Sequence, residues 1–181
     1  MTRVFWDTNL FVYLFEGGEF AARVKQVRSR MLDRGDQLLT SALTLGELLV
    51  KPREKGEAAV RDHDATIRQI ATILPFDAPC APRYAAIRAD RTVKAPDAIQ
   101  LACAAAAGVD LFITNDDRLS RKHVPDVKFI TSLERAYLWP TAEPGSRQKR
   151  CAARVSTRAH VTTESRSTHS TTSWAPPPVG P

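Results

Sequence analysis

Four acidic residues, Asp7, Glu47, Asp97 and Asp116, each interrupt or border an apolar segment, in VFWDTNLF, ALTLGELLV, APDAIQLACA and DLFITNDD. A carboxylate beside a core-forming run is costly to desolvate unless positive charge meets it. None of these segments contains Lys or Arg, so one shared divalent cation is the simplest common solution. Oxygen-only donors suit Mg²⁺ or Mn²⁺, and Mg²⁺ usually keeps several waters while using few protein carboxylates. The four histidines, His63, His123, His160 and His169, form no HExxH-like pattern. The three cysteines, Cys80, Cys103 and Cys151, match neither a disulfide framework nor zinc-ligand spacing and read as buried or idle thiols.

The elements around these acids alternate. VFW (4 to 6), QLLT (37 to 40), ILPF (73 to 76), LFIT (111 to 114) and VKFI (127 to 130) are short enough to be strands. Between them, Val24, Val27 and Met31 fall on one helical face, Tyr84, Ile87 and Arg88 continue a second helix, and Ala98, Leu101, Ala102 and Ala105 follow helical spacing in a third. Strands without strict alternation, separated by helices, predict an α/β fold with a central, mainly parallel sheet covered on both faces. In open α/β sheets, sites form at the carboxyl ends of strands. Asp7 directly follows the first strand, and Asp116 follows LFIT by one residue. Asp97, just after Pro96, falls in the first turn of its helix, where Pro and Asp are both favoured. Glu47 sits inside a helix over Ala42 to Val50, on or beside an apolar face.

Each acid also has an ordinary structural role. Asp116 or Asp117 can cap DRLS, Asp97 can serve only the helix end, Asp7 can open an Asx turn through DTN, and Glu47 can close a capping box with Thr44. The last fits poorly, because it would leave a helix of about six residues before Pro52 where helices average ~11. The four together favour a shared site over four separate roles.

Composition limits the frame. A chain of 181 residues with 43% hydrophobic content holds one domain, expected over residues 1–139. From Thr141 onward there is no Leu, Ile, Met or Phe, Ser and Thr fill 13 of 41 positions, and six Lys or Arg face two Glu. That places +4 of the net +6 in a tail, residues 140–181, expected to be disordered, which either adds salt-sensitive attraction to nucleic acid or is passive. The start, MTRVFWDTN, has no charged leader before a long apolar stretch, and no run reaches the ~18 apolar residues of a membrane span. A cytoplasmic location is expected.

DTN at 7 to 9 after a hydrophobic strand, Glu47 in TLGELL, PDAIQLACA at 96 to 104 and TND at 114 to 116 together resemble the PIN domain, in its VapC-type toxin branch. The ordered motifs span about residues 3 to 135. The resemblance implies an α/β/α sandwich, dependence on Mg²⁺ or Mn²⁺, endoribonuclease activity on an RNA substrate, restraint by a VapB-like antitoxin, and self-association as a homodimer. By matching position it assigns metal binding to Asp7 and Asp97, with Glu47 and Asp116 completing the catalytic acids. Asp117 has no secure counterpart, and the tail lies outside the pattern.

The chemistry agrees without depending on that likeness. Hydrolysing a phosphodiester needs an activated water and neutralisation of developing charge, and a metal held by carboxylates supplies both. Asp7 and Asp97 are expected to hold the principal ion directly or through water, while Glu47 and Asp116 orient coordinated water or bind a second ion. Thr8, Asn9, Thr114 and Asn115 are equally at home in hydrogen bonds behind the acids or in plain turns. Arg53, Arg88, Lys94 and Arg118 offer contacts to phosphate or are solvated surface charge. No GxxxxGK[ST] or GxGxxG loop is present to cradle a nucleotide. The remaining alternative is a non-cleaving, metal-dependent module that binds RNA or protein on the same fold.

Overall fold

The computed structural model describes residues 1–137. The expected tail and its boundary lie outside the described residues. Five strands, β1 (Arg3–Trp6), β2 (Gln37–Ser41), β3 (Thr72–Leu74), β4 (Leu111–Thr114) and β5 (Phe129–Ser132), form one sheet in the order β3-β2-β1-β4-β5. Every pairing is parallel. The helices are α1 (Thr8–Glu16), α2 (Ala21–Arg34), α3 (Ala42–Glu54), α4 (Glu57–Ile70), α5 (Cys80–Arg88), α6 (Ala95–Ala106) and α7 (Leu133–Tyr137). Among the described residues no helix is long and apolar enough to cross a membrane.

Each central strand feeds two cores, which is why its sequence reads as a run rather than an alternation. Phe5, Leu39 and Phe112 face Ile87, Leu101 and Ala105 on one side of the sheet. Val4, Trp6, Leu38 and Ile113 face Leu10, Phe11, Val24, Met31, Leu45 and Leu48 on the other. Chain direction explains the layers. From β1 to β3 the chain moves one way across the sheet, and right-handed crossovers put α1 to α4 on one face. The connection from β3 to β4 runs back past β1, so the same handedness places α5 and α6 on the opposite face. The order therefore reverses beside β1 and β4, and the crevice at their carboxyl ends is the topological switch point.

Helices α1 and α4 do not stand out in the sequence. The first buries only Leu10 and Phe11 and is built from aromatic and β-branched residues, which are mediocre helix formers. The second buries only Ile67. Helix α3 passes through Pro52 and ends at Glu54 rather than Val50; the ring removes one backbone donor, but the flanking turns persist. Strand β5 starts two residues later than VKFI suggests, after a left-handed Asp126 with φ 69° turns the chain.

The packing gives a first test. Phe112 is fully buried and stacks on Phe5 with ring centroids 4.9 Å apart. Phe112→Ala is expected to cost about 3–5 kcal/mol in urea unfolding, the usual range for a buried aromatic truncated in a close-packed core. A loss below about 1 kcal/mol would contradict this packing.

Candidate functional site

Asp7 closes β1 and caps α1. Its backbone N–H continues the sheet by donating to the Ile113 carbonyl at 3.1 Å, and its carboxylate accepts from the Thr8 N–H at 2.6 Å. The residue is 6% exposed, an unusual place for a charge. Thr114, fully buried at the end of β4, donates its hydroxyl to Asp7 Oδ2 at 2.7 Å and accepts the Asp116 N–H at 3.0 Å. One hydroxyl thus ties together the two acids at the strand ends.

Helix α6 delivers Asp97. Lys94 precedes the helix in extended conformation, Pro occupies its first turn, and Asp97 stands at its positive end, partly buried. Gln100 lies three residues on, so it shares that face. Helix α3 delivers Glu47 from the other side of the sheet order. Ser41 caps α3 by accepting the Thr44 N–H at 3.1 Å, and Glu47 follows Thr44 by one turn. Its carboxylate accepts the Thr8 hydroxyl at 2.6 Å.

Electrostatics link the acids. Burial raises the Asp7 pKa; hydrogen bonds from Thr114, Thr8 and Gln100 oppose this, while the Glu47 charge adds to it. The Asp97 pKa is raised, first by burial and then by Asp7 and Asp116, with Lys94 and Arg118 pulling the other way. Asp116 is held low chiefly by its hydrogen bonds to Arg118, which reach Oδ1 from Nε at 3.3 Å and Oδ2 from Nη2 at 2.9 Å. Asp7 and Asp97 therefore share a field of mutual repulsion that a divalent cation would relieve.

Two expectations are refined. Of the two placements open to Glu47, on or beside an apolar face, it takes the second: it is exposed next to buried Leu48, while Val50 is 62% exposed and the buried face of α3 is Thr44, Leu45, Leu48 and Pro52. The acids also do have a cation of their own, since Arg118 pairs with Asp116 from just beyond its apolar segment. Asp116 is at once a member of the group and a cap, accepting the N–H groups of Arg118 and Leu119.

The remaining polar candidates divide. Thr8 and Thr114 bond directly to the acids, whereas Asn115 donates to the Tyr13 hydroxyl at 3.0 Å and Asn9 is exposed. Arg53 pairs with Glu57 and Arg88 with the Val93 carbonyl, away from the site. Sequence reasoning weighs Thr44 only as a helix cap and passes over Gln100. Their signals are spacing, one turn before Glu47 and one turn after Asp97, and for Gln100 a polar residue within the apolar run of α6. Cys80 and Cys103 are buried free thiols that both donate to the Pro75 carbonyl, as idle core groups do.

The donor set fits a hard divalent cation: carboxylate and hydroxyl oxygens, no imidazole or thiolate, and two acids whose pKa values are raised by burial and by neighbouring carboxylates. Among the described residues no group of three or more His, Cys, Asp or Glu side chains stands ready to hold a metal ion as placed. Asp116 is engaged by Arg118 and Glu47 by Thr8.

Known proteins give the same fold. VapBC2 from Rickettsia felis, solved bound to a DNA fragment from its promoter, is similar with a TM-score of 0.55 and 16% identity over 72% of this chain and 98% of that one. A toxin–antitoxin complex from Klebsiella pneumoniae matches with a TM-score of 0.52 and 24% identity, covering 68% of this chain and 94% of that one. VapC20 from Mycobacterium tuberculosis, described as a Sarcin-Ricin loop cleaving toxin, matches with a TM-score of 0.51 and 20% identity, covering 68% and 98%. No curated protein sequence matches the chain. The PIN domain family profile matches residues 4–124, a span that contains all four acids. The chain belongs to the PIN domain family.

Proposed function

We propose that this protein is a metal-dependent endoribonuclease that hydrolyses RNA phosphodiesters in the cytoplasm, as the toxin of a toxin–antitoxin pair. The observation that carries the reading is Asp7, a carboxylate 6% exposed at the switch point and in the electrostatic field of Glu47 and Asp97. Likeness to VapBC complexes supports a VapB-like antitoxin as partner; self-association as a homodimer is proposed on the family resemblance alone.

Asp7 and Asp97 would hold Mg²⁺ or Mn²⁺, and Glu47 and Asp116 would complete the acidic site. When bound, such an ion lowers the pKa of water and offsets charge on the phosphodiester. Glu47, exposed and held by Thr8, would orient the attacking water and accept its proton. Thr114 keeps Asp7 and Asp116 in register, and Arg118 orients Asp116 through two contacts. These residues bind and orient; none forms a covalent intermediate.

Cleavage-site mapping on total cellular RNA tests the reading. Purified protein is expected to cut at discrete sites with added Mg²⁺ or Mn²⁺, and chelator should lower cleavage to background. Unchanged cleavage in chelator would exclude the metal-dependent mechanism. RNA binding with no cleavage under any metal would leave the non-cleaving module. A short neighbouring gene encoding a DNA-binding protein is the expected antitoxin, and its co-purified product should suppress cutting.

A further inference from the structure

We infer that Gln100 is a positioning residue: its buried amide fixes the direction of the Thr8 hydroxyl and through it holds Glu47 at the acidic site. This rests on the acids being a cation site. Thr8 Oγ1 lies 2.6 Å from Glu47 Oε2, 3.1 Å from Thr44 Oγ1 and 3.1 Å from Gln100 Nε2. A hydroxyl has one hydrogen to give. An amide nitrogen only donates and an ionised carboxylate only accepts, so Thr8 accepts from Gln100 and gives its hydrogen to Glu47. Thr44 must then donate to Thr8. Its hydrogen being used there, Ser41 donates to Thr44 across their 3.2 Å contact. The result is a directed chain, Ser41 to Thr44 to Thr8 to Glu47, whose sense is set at Gln100.

Amide orientation decides the sense: Gln100 presents Nε2, not Oε1, to Thr8 Oγ1. Turning the amide over would claim the Thr8 hydrogen and leave Glu47 without it.

The other end of Gln100 shows that this arrangement is not built for stability. Gln100 is 3% exposed, and its Oε1 is buried with no hydrogen-bond partner among the described residues. An orphaned buried acceptor is destabilising, and a residue kept only for packing would be apolar here. Methionine matches glutamine in length and flexibility without the amide.

The experiment uses the full chain as wild type, Gln100→Met, Thr8→Val, the double variant and Thr8→Ser. Each is titrated with Mn²⁺ followed by electron paramagnetic resonance and melted in chelator. Each single loss is expected to weaken Mn²⁺ binding about tenfold, the effect of removing a partner that orients a ligand. The double variant should be no weaker than about the weaker single, because both changes cut one connection. Thr8→Ser keeps the hydroxyl and should bind as wild type does. Melting temperatures in chelator should stay within about 3 °C. Additive losses, unchanged Mn²⁺ affinity in Gln100→Met, or failure of that variant to fold would each overturn the inference. Absence of Mn²⁺ binding in the wild type would overturn the cation site itself. Intact Mn²⁺ coupling without RNA cleavage would leave the inference standing and reject the nuclease.

Discussion

Asp7→Asn is expected to reduce metal-supported RNA cleavage by more than about 100-fold while leaving the fold at least as stable in chelator. The two halves have one cause. Asp7 is buried, and that burial is the largest influence on its raised pKa. A group whose pKa is higher in the fold than in the unfolded chain favours folding when protonated. Its contribution is fully present below the unfolded value and is lost as pH rises through the folded value. At neutral pH the metal-free wild type therefore carries an unfavourable charge, and Asn removes it. Asn also fits the hydrogen bonds. Its oxygen can still accept the Thr8 N–H, and its NH₂ can donate to Thr114 Oγ1, which already accepts from Asp116. What Asn cannot supply is anionic affinity for a hard cation. Cleavage of RNA and thermal melting in chelator are the two readouts. Retained cleavage would remove Asp7 from the site, and a fall in melting temperature would mean that its charge is satisfied within the fold.

The same contrast between charge and neighbours explains what can be read from the residues alone. Asp7 and Asp116 are legible because strand ends are written locally: an apolar run stops, and the next polar residue stands at the sheet edge. Asp97 is legible from the Pro beside it and from helix polarity. Glu47 is legible only as an anomaly. Its contact with Thr8 bridges 39 residues, and nothing in TLGELL shows that the carboxylate turns outward to meet α1. Gln100 and Thr44 hide for a related reason: each is a polar side chain on an apolar face whose partners come from another element. Arg118 reads as surface charge because its side chain is 70% exposed, and its pairing with Asp116 depends on a turn that the residue types permit without requiring. Helix α4 escapes notice because it fully buries only Ile67, and α1 because Val12, Tyr13, Leu14 and Phe15 are partly buried around Leu10 and Phe11, which leaves no clean helical stripe. Periodicity reports the faces that meet a core, and the parts that meet only other side chains must be seen in three dimensions.

Asp97→Asn is expected to match Asp7→Asn, with cleavage lowered by more than about 100-fold, and its surroundings give a second, signed consequence. Burial, Asp7 and Asp116 all raise the Asp97 pKa, while Lys94 and Arg118 lower it. Binding a cation requires the ionised form, so metal affinity should fall on acidification at a pH above that of an ordinary carboxylate. Arg118→Ala deletes a positive neighbour of Asp97 and the hydrogen bonds that hold Asp116 low. Both acids then protonate more readily, and the acid limb of Mn²⁺ binding should move to higher pH. Asp116→Asn removes a like charge from Asp97, so what affinity remains should show its acid limb at lower pH. Opposite movements from two partners of one ion pair are hard to obtain from general loosening of the fold, which would shift both the same way. Mn²⁺ affinity measured from acid to neutral pH for the three proteins reads this directly. An Arg118→Ala limb that stays in place or moves to lower pH would show that Asp97 and Asp116 are not electrostatically joined, and with that the single shared site would fail.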